Sequence, residues 1–336
     1  MTAEGAVHKK IQALAALGEQ LVPENTSLQQ VLEQTAALNG WFDKTEMWRM
    51  LESFRTQFLN AALLEQWMQA YTPANTPKTI GLVLAGNVPF VGMHDLLCVL
   101  MSGHRAQVKL SSKDPYFFLW MQEALRSLHA GMALNMGFAE KLTGFDAVIA
   151  TGSNNSARYF EYYFGKYPHI IRRNRTSIAI LTGNESPKEL EALGKDVFYY
   201  YGLGCRNVGK IFAPAGFDRQ ALFRFWEPYR YVIENTKYKH NFDYNRALLL
   251  LNKTPYLTND FYMLVESDQL FSPLSVVYFT EYADDIALHM QLEAISDHLQ
   301  CVISERPGNT PFGESQFPGL SDYADHVDTM QFLTAL

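Results

Sequence analysis

Cys205 is the residue whose type and surroundings best suit covalent chemistry. It stands in the segment Gly202-Leu203-Gly204-Cys205-Arg206-Asn207. Glycines allow unusual backbone dihedral angles and close approach to a ligand, and an adjacent cation such as Arg206 favours the nucleophilic thiolate. The alternative is that Cys205 is a small buried hydrophobic residue, as cysteines outside disulfides often are. The residues of this segment support the two interpretations about equally.

The remaining cysteines and the histidines do not predict a metal site. Cys98 falls on an apolar helical segment and Cys301 in an apolar strand, so both are predicted to be core residues. Three cysteines so widely spaced form neither a disulfide framework nor a zinc cluster. The histidines show no metal-ligand spacing, and we expect no metal.

Asn87 follows a β-rich run, TIGLVLAGN, that ends in small residues. Its side-chain amide could donate a hydrogen bond to a developing oxyanion. The ordinary alternative is that Gly86-Asn87 forms a turn, and from the residues themselves the turn is the better-supported interpretation.

Two other segments carry polar groups that suit a nucleotide. In the first, Lys109, Ser111, Ser112 and Lys113 lie between a predicted strand and a predicted helix, which suits a phosphate or a ribose. A solvated helix cap is an equal alternative. Thr151-Gly152-Ser153 is a similar strand-to-helix turn. The Gly-X-Gly-X-X-Gly fingerprint is absent, so the common dinucleotide motif is not claimed.

Strands alternate with helices after residue 78, which predicts a doubly wound parallel sheet. The predicted strands are TIGLVLAGN, RAQVKLSS, FDAVIATGS and TSIAILTG, with helices over DLLCVLMSG, residues 116–128 and NNSARYFEYYFG. Ligands of such sheets bind at the carboxyl ends of strands, where Asn87, Ser111 and Gly152 fall. Residues 6–70 carry helix-spaced apolar positions and predict a helical lead-in that covers the sheet.

A second α/β unit is predicted to begin near Ser186. Its predicted elements are helices over 187–201 and 218–235, the strand GKIFAP, and strands over 246–252, 275–280 and 301–303. We expect residues 1–185 to form the lead-in and dinucleotide-binding domain, and 186–305 the catalytic domain. Residues 306–336 are predicted to pack back on the first domain or on a partner subunit.

Composition and charge exclude several classes of protein. The chain has 336 residues, 48% of them hydrophobic, and a formal charge of −7. This negative charge argues against non-specific binding to nucleic acids, which requires a basic surface. The apolar run 80–101 contains Asn87, His94 and Asp95, which would be costly in lipid, so we expect no membrane span and a cytoplasmic protein. Arg172, Arg173 and Arg175 form the densest basic cluster, suited to phosphates or, more commonly, to a solvated turn.

These segments together resemble the acyl-CoA reductases of the bacterial bioluminescence type (LuxC-like), a branch of the aldehyde dehydrogenase superfamily. The resemblance covers residues 78–336 and is strongest in GLVLAGNVPFVGMHDLLCVLMSG, VKLSSKDP, IATGS, YYYGLGCRNVGKIFAP, LFSPLSVVYF and PFGESQFPGLSDYADHVDTMQFL. It implies an aldehyde-dehydrogenase-like fold, with a doubly wound cofactor domain and an α/β catalytic domain. It also implies a homo-oligomer.

The resemblance also implies roles for individual residues. Cys205 matches the nucleophile that takes the acyl group, and Asn87 matches the oxyanion donor. Lys109 matches the lysine that holds the adenosine ribose, and Gly152 and Ser153 match the turn under the dinucleotide. Gln269 stands where relatives usually have a glutamate that contacts the nicotinamide ribose.

Two departures from the family pattern bear on cofactor and chemistry. Ser112 lies where NAD-preferring relatives place a glutamate, and a serine beside Lys113 tolerates a 2′-phosphate, which predicts NADPH over NADH. Residues 171–175 (Ile-Arg-Arg-Asn-Arg) replace the Glu-Leu-Gly-Gly region that supplies the water-activating base of hydrolytic relatives.

The sequence therefore predicts NADPH-dependent reduction of a fatty acyl-CoA to the aldehyde through a thioester on Cys205. An acyl-transferring partner enzyme is an open alternative to CoA as the donor. Two other functions stay open: a cysteine acyltransferase or thioesterase that needs no nicotinamide, and a catalytically silent nucleotide-binding protein.

Overall fold

The computed structural model describes residues 3–152 and 154–336, and these divide into two compact units. The first unit comprises Met1–Asn174 and Pro318–Leu336, and the second comprises Arg175–Phe317. No helix in the described part of either unit is long and apolar enough to cross a membrane.

The first unit begins with a helical lead-in. Its helices are α1 (Ala3–Gly18), α2 (Thr26–Leu38), α3 (Lys44–Ser53) and α4 (Ala61–Met68), with a π-helical turn over Phe54–Phe58. Asn25, Asp43 and Asn60 cap α2, α3 and α4 by accepting backbone N–H bonds. Buried Leu14 joins strand residue Ile80 in one hydrophobic core, which confirms the predicted helical cover.

A parallel sheet flanked by helices follows the lead-in. Its elements are β1 (Thr79–Val83), α5 (Met93–Met101), β2 (Arg105–Lys109), α6 (Tyr116–Leu128), α7 (Ala130–Leu134), β3 (Met136–Phe138), β4 (Ala147–Thr151), α8 (Asn154–Phe164) and β5 (His169–Arg172). In the described residues the strand order is β3-β2-β1-β4-β5, and the pairs are parallel. The order reverses between β1 and β4, so ligands of such a sheet bind at the carboxyl ends of these strands. The predicted doubly wound fold is confirmed.

The second unit contains another sheet that is mostly parallel. Its elements are β6 (Thr176–Ile180), α9 (Pro187–Phe198), β7 (Val208–Pro214), α10 (Arg219–Phe225), α11 (Thr236–Leu251), β8 (Leu257–Thr258), β9 (Met263–Glu266), β10 (Val276–Tyr282), α12 (Asp285–Ile295) and β11 (Leu299–Ile303). The strand order is β11-β6-β7-β10-β9-β8, and β8 runs antiparallel to β9. Short 3₁₀ segments of this unit cover Tyr199–Gly202, Glu227–Glu234 and Ser296–His298, whereas the 3₁₀ segment Ala324–His326 belongs to the first unit. Helix α13 (Thr329–Thr334) belongs to the first unit.

The unit boundary lies at residue 174, earlier than the predicted boundary at residue 185. The strand TSIAILTG was expected to close the first sheet, but its core, β6, pairs with β7 and β11 in the second. A short buried run predicts a strand but does not identify its partners, because parallel partners are distant in sequence.

Residues 246–251 form the end of helix α11 and Asn252 follows it as the C-cap, so the strand predicted over 246–252 is wrong. A short apolar run such as Ala-Leu-Leu-Leu-Leu is compatible with either structure. Two features favour the helix. Leucine is a strong helix former, and the Asn235 side chain caps α11 at its start by accepting N–H bonds from Lys237 and Tyr238.

The C-terminal segment divides between the two units. Residues 318–336 pack in the first unit, where the Tyr323 hydroxyl accepts a hydrogen bond from Trp67 Nε1 (2.9 Å) and bonds to the Tyr71 hydroxyl (2.8 Å). Residues before 318 stay in the second unit, because the buried Asp196 carboxylate accepts N–H bonds from Gly313 and Ser315. The predicted segment 306–336 is therefore two segments with different anchors.

Within the arginine cluster, Arg172 has a structural role. Its buried guanidinium forms an ion pair with the buried carboxylate of Asp95 and donates to the Ala324 carbonyl at 2.6 Å. Arg173 is an exposed partner of Glu161, and Arg175 donates to the Leu299 carbonyl. Arg172 thus joins β5, α5 and the C-terminal segment of the first unit, and it does not serve as a phosphate ligand.

We predict that Asp95→Ala destabilises the protein by about 3–5 kcal/mol, because it leaves the Arg172 charge buried without its counter-ion. The double variant Asp95→Leu/Arg172→Met removes both charges and is expected to recover most of that loss. Urea unfolding measures both variants. A double variant no more stable than Asp95→Ala would contradict this account.

Candidate functional site

Cys205 lies in a tight turn between α9 and β7 of the second unit. Cys205 is a half-buried residue, whereas Cys98 and Cys301 are buried. The turn begins where α9 ends at Phe198 and finishes where β7 begins at Val208. Cys205 therefore lies three residues before the start of β7 and, unlike the other two cysteines, is not fully buried.

The buried Asn207 side chain holds this turn together. Its Oδ1 accepts the Gly204 N–H at 2.8 Å, and its Nδ2 donates to the carbonyls of Tyr199 (2.9 Å), Asp196 (3.1 Å) and Val197 (3.4 Å). The Asn207 N–H also donates to the Gly204 carbonyl at 3.1 Å. One amide therefore fixes both the end of α9 and the residue before Cys205.

The chain that leads into the turn has strained backbone geometry. Tyr200 (φ 53°), Tyr201 (φ 59°) and Gly202 (φ 75°) are consecutive residues in the left-handed region. Only glycine adopts that region without cost, and the two tyrosines that adopt it are buried. Such strain is characteristic of functional turns.

The other end of the Cys205 turn is tied to the second sheet. The Ser177 hydroxyl donates to the Cys205 carbonyl at 2.9 Å and accepts the Cys301 N–H at 3.1 Å. Arg206 Nη1 lies 3.3 Å from the Cys301 sulfur. Arg206 is therefore engaged with the buried cysteine of β11.

In the first unit, the candidate cofactor residues gather at the carboxyl edge of the sheet. β1, β2 and β4 end at Val83, Lys109 and Thr151, and the turns after β1 and β2 are in direct contact. A Cβ on Gly86 would lie 2.2 Å from Ser111 Oγ, so only glycine fits there. Asn87, Lys109, Ser112 and Lys113 are exposed around this contact.

Ser111 has a local structural role in its turn. Its Oγ accepts the Lys113 N–H at 3.2 Å and its carbonyl accepts the Asp114 N–H at 3.1 Å. These bonds close the turn before α6, which begins after Pro115 without a side-chain cap, so the alternative of a helix cap at Ser111 or Ser112 is wrong. Gly152 is packed against Ser156 and Phe160 of α8, since a Cβ there would lie 2.9 Å from both side chains. Ser153 lies outside the described residues.

Gln269 belongs to the second unit, in the loop between β9 and β10. It is exposed, and its Oε1 accepts a hydrogen bond from the Tyr278 hydroxyl at 3.3 Å. Its carbonyl accepts from Lys210 Nζ at 3.0 Å. Among the candidate residues that the structure describes, Cys205 and Gln269 lie in the second unit and the others in the first.

Asp114 is a buried carboxyl group beside the Asn87 turn. Its Oδ2 accepts the Phe90 N–H at 2.7 Å, and its Oδ1 has no hydrogen-bond partner among the described residues. Phe90 is itself left-handed, with φ 56°. Burial raises the pKa of Asp114 to about 7, although the Phe90 N–H favours the charged form and lowers it.

Asn207 and Asp114 were not singled out by the sequence analysis. Asn207 had a detectable signal, because an asparagine two residues after a cysteine in a glycine-rich turn often bonds to nearby backbone. Asp114 had none, since an aspartate just before a proline and a helix is ordinarily exposed. Within the described residues no group of side chains has the arrangement of a metal site.

Comparison with known proteins identifies the fold. No family model matches the sequence, and no curated protein shows significant sequence similarity to it. The structure is similar to aldehyde dehydrogenase 21 from Physcomitrella patens, solved with the product succinate (TM-score 0.62, 11% identity, 91% of this chain and 74% of that chain).

Two further structures show the same likeness. The gamma-glutamyl-gamma-aminobutyraldehyde dehydrogenase of Burkholderia cenocepacia J2315 has a TM-score of 0.65 at 10% identity, over 91% of this chain and 73% of that one. A Mycobacterium tuberculosis aldehyde dehydrogenase complexed with NAD⁺ has a TM-score of 0.60 at 13% identity, over 88% and 72% of the two chains. The chain has the aldehyde dehydrogenase fold.

The pKa of Asp114 predicts how stability depends on pH. An unfolded aspartate loses its proton near pH 4 and the folded one near pH 7, so the folded state holds an extra proton between these values. The free energy of unfolding therefore falls as pH rises through this window, by up to about 4 kcal/mol from this group. Asp196, whose pKa burial raises to about 6, contributes in the same direction.

Asp114→Asn keeps an acceptor for the Phe90 N–H but does not titrate. We expect its unfolding free energy, measured in urea between pH 5 and 8, to fall less steeply than that of the unaltered protein. Parallel pH profiles for the two proteins would contradict this assignment.

Proposed function

We propose that this protein is a nicotinamide-dependent oxidoreductase that reduces a fatty acyl thioester, with acyl-CoA as the donor, to the aldehyde. The observation that carries the proposal is the Cys205 turn. It holds a half-buried cysteine in a turn fixed by Asn207, in a chain with the fold of aldehyde dehydrogenases.

The first half-reaction uses groups of this chain. The Cys205 thiolate attacks the carbonyl carbon of the acyl-CoA, and a carbon–sulfur bond forms as the carbonyl electron pair moves to oxygen. The exposed Asn87 is the proposed hydrogen-bond donor to that oxyanion. When the carbonyl reforms, the bond to CoA breaks, CoA leaves as a thiolate that takes up a proton, and the acyl group remains on Cys205 as a thioester.

The first unit carries residues that fit a dinucleotide. The carboxyl edge at β1, β2 and β4 presents cationic Lys109 and Lys113 together with the hydroxyl of Ser112, a donor set suited to phosphates and ribose. Thr151, Gly152 and Ser153 are proposed to lie under the dinucleotide, and Gln269 to meet the nicotinamide ribose. When bound, the reduced cofactor supplies the hydrogen and the two electrons that convert the thioester to the aldehyde.

The segment that replaces the hydrolytic base supports reduction over hydrolysis. Residues 171–175 contain no carboxylate, and Arg172 within them is committed to Asp95 and to the Ala324 carbonyl. A thioester on Cys205 then lacks this general base for water, so it persists until it is reduced.

Intact-mass measurement after mixing with acyl-CoA tests the thioester. We expect a mass gain of one acyl group, erased on addition of NADPH, and no gain in Cys205→Ala. Asn87→Ala is expected to acylate about 10²–10³-fold more slowly, and Cys98→Ala serves as the matched cysteine control. Release of CoA without oxidation of NADPH would indicate a thioesterase or acyltransferase, and bound nucleotide with an unreactive Cys205 would indicate a silent binding protein.

The preference between cofactors is a separate prediction. Ser112 beside Lys113 accommodates a 2′-phosphate, so kcat/KM is expected to be higher with NADPH than with NADH. Ser112→Glu places a carboxylate there, which repels the phosphate, and should reverse the preference, whereas Ser127→Glu on α6 should leave it unchanged. A higher kcat/KM with NADH in the unaltered protein would overturn the prediction.

A further inference from the structure

Asn87 lies between two contacts that join its turn to the neighbouring one. Asn87 belongs to the turn after β1, and Ser111 and Asp114 belong to the turn after β2. The turns meet at Gly86, where a Cβ would lie 2.2 Å from Ser111 Oγ. They meet again at Phe90, whose N–H donates to Asp114 Oδ2 at 2.7 Å. The backbone is therefore fixed on either side of the exposed Asn87.

Phe90 connects this turn to the core of the first unit. Its ring is fully buried and stacks on Phe117 of α6, with 4.2 Å between the ring centroids. Its carbonyl accepts the Met93 N–H at 3.0 Å, where α5 begins. Its φ of 56° lies in the left-handed region, which is unfavourable for a residue with a Cβ. The bond from the Phe90 N–H to Asp114 thus stabilises a conformation that is intrinsically costly.

Asp114 makes this bond from surroundings that disfavour its charge. Its side chain belongs to a residue that is 1% exposed, and its Oδ1 has no hydrogen-bond partner among the described residues. Burial raises the pKa of Asp114 to about 7, and the Phe90 N–H lowers it by a smaller amount. A carboxylate in this position has one bonded oxygen and one oxygen that neither water nor a donor reaches.

The charged and titratable groups on the neighbouring elements provide no counter-ion for Asp114. Residues 84–92 contain none, and those of its own turn, α5 and α6 are Lys109, Lys113, His94, Asp95, Cys98, Tyr116, Glu123 and Arg126. Both lysines are exposed, and Glu123 pairs with Arg126. Asp95 pairs with Arg172 on β5. Among the described groups, none that is charged shifts the pKa of Asp114.

We propose that Asp114 is a positioning residue for the acylation of Cys205, because it holds the turn that carries Asn87, and that ionisation of Asp114 releases this turn. The inference rests on the proposed function, in which Asn87 is the oxyanion donor, and adds a residue that acts through it. A buried carboxylate with an unbonded oxygen is more stable in water. Above neutral pH the contact between the two turns therefore opens toward solvent.

A double-variant cycle tests the positioning role through the rate constant of acylation, measured by intact mass with octanoyl-CoA at about pH 6. Asp114→Leu removes the acceptor of the Phe90 N–H and is expected to slow acylation about tenfold or more. Asp114→Asn keeps an acceptor and should slow it less than about threefold. In the Asn87→Ala background, Asp114→Leu should change the rate constant less than about twofold, because the group that it positions is absent.

Asp146→Leu is the matched control. The Asp146 carboxylate accepts the Thr79 N–H at 2.8 Å, at the opposite end of β1, so its loss should leave the rate constant unchanged. A rate constant does not depend on how much of each variant is folded. Equal slowing by Asp114→Leu with and without Asn87 would show that Asp114 does not act through Asn87. That result would overturn the positioning role and leave the proposed function standing.

Hydrogen exchange of residues 85–92, followed by mass spectrometry on the full chain, tests the release. The chemical exchange rate rises equally with pH in the unaltered protein and in Asp114→Asn, so the ratio between them reports the turn. We expect this ratio to rise about threefold or more between pH 6 and pH 8.5, because Asp114 ionises and asparagine does not. A ratio that is the same at both pH values would overturn the release.

The two experiments separate this inference from the proposed function. Exchange needs no substrate, so it shows whether Asp114 holds the turn even if no acyl-CoA modifies Cys205. In that case the proposed function fails, and the positioning role fails with it.

Discussion

The geometry of the candidate nucleophile depends on one buried amide. Asn207 is suited to this position because a carboxamide both accepts and donates. It takes the Gly204 N–H and gives its own hydrogens to carbonyls at the end of α9. A carboxylate could not donate, and an aliphatic side chain of similar size would leave these backbone groups buried without partners, at about 1–3 kcal/mol each.

The same amide explains how the strained residues before Cys205 persist. Left-handed geometry costs roughly 1–2 kcal/mol per non-glycine residue, and Tyr200 and Tyr201 both adopt it. Hydrogen bonds of about 1 kcal/mol each, together with burial of two tyrosine rings, offset that cost. The first unit has a similar arrangement. There the Asp114 carboxyl group accepts the N–H of the left-handed residue Phe90, three residues after Asn87. Each candidate turn thus has its backbone fixed in the protein before a ligand arrives.

Local patterns in the sequence predict much of this fold. The helix predicted over residues 116–128 is α6 (Tyr116–Leu128), and the predicted strands contain β1, β2, β4 and β6. Hydrophobic periodicity and glycines at strand ends predict individual helices and strands because these patterns depend only on residues that are close in sequence. They do not report partners, so β6 was predicted in the wrong sheet, and a leucine run in α11 was predicted as a strand.

The residues of the candidate site also fall into those that the sequence reveals and those that only the structure reveals. Cys205 and Asn87 are detectable because their residue types and neighbouring glycines are unusual. Asn207 and Asp114 become significant through burial and through bonds to backbone groups, which the sequence does not display. For Arg172 the sequence pattern is misleading. Its cationic neighbours predict a phosphate site or a solvated turn, but its ion pair with Asp95, 77 positions away, gives it a structural role.

The lack of a carboxylate in residues 171–175 bears on the direction of the proposed chemistry. An aldehyde dehydrogenase that releases a carboxylate needs an activated water to cleave its thioester, and residues 171–175 provide no carboxylate for that purpose. In the proposed reaction, the acyl group then leaves Cys205 by transfer to another thiol or by reduction. Exchange keeps the acyl group activated on a new thiol, whereas reduction consumes the thioester and releases the aldehyde as the Cys205 thiolate leaves. Under the proposed function, a cysteine turn held by Asn207 and a segment without a carboxylate both favour reduction of the acyl thioester over its hydrolysis.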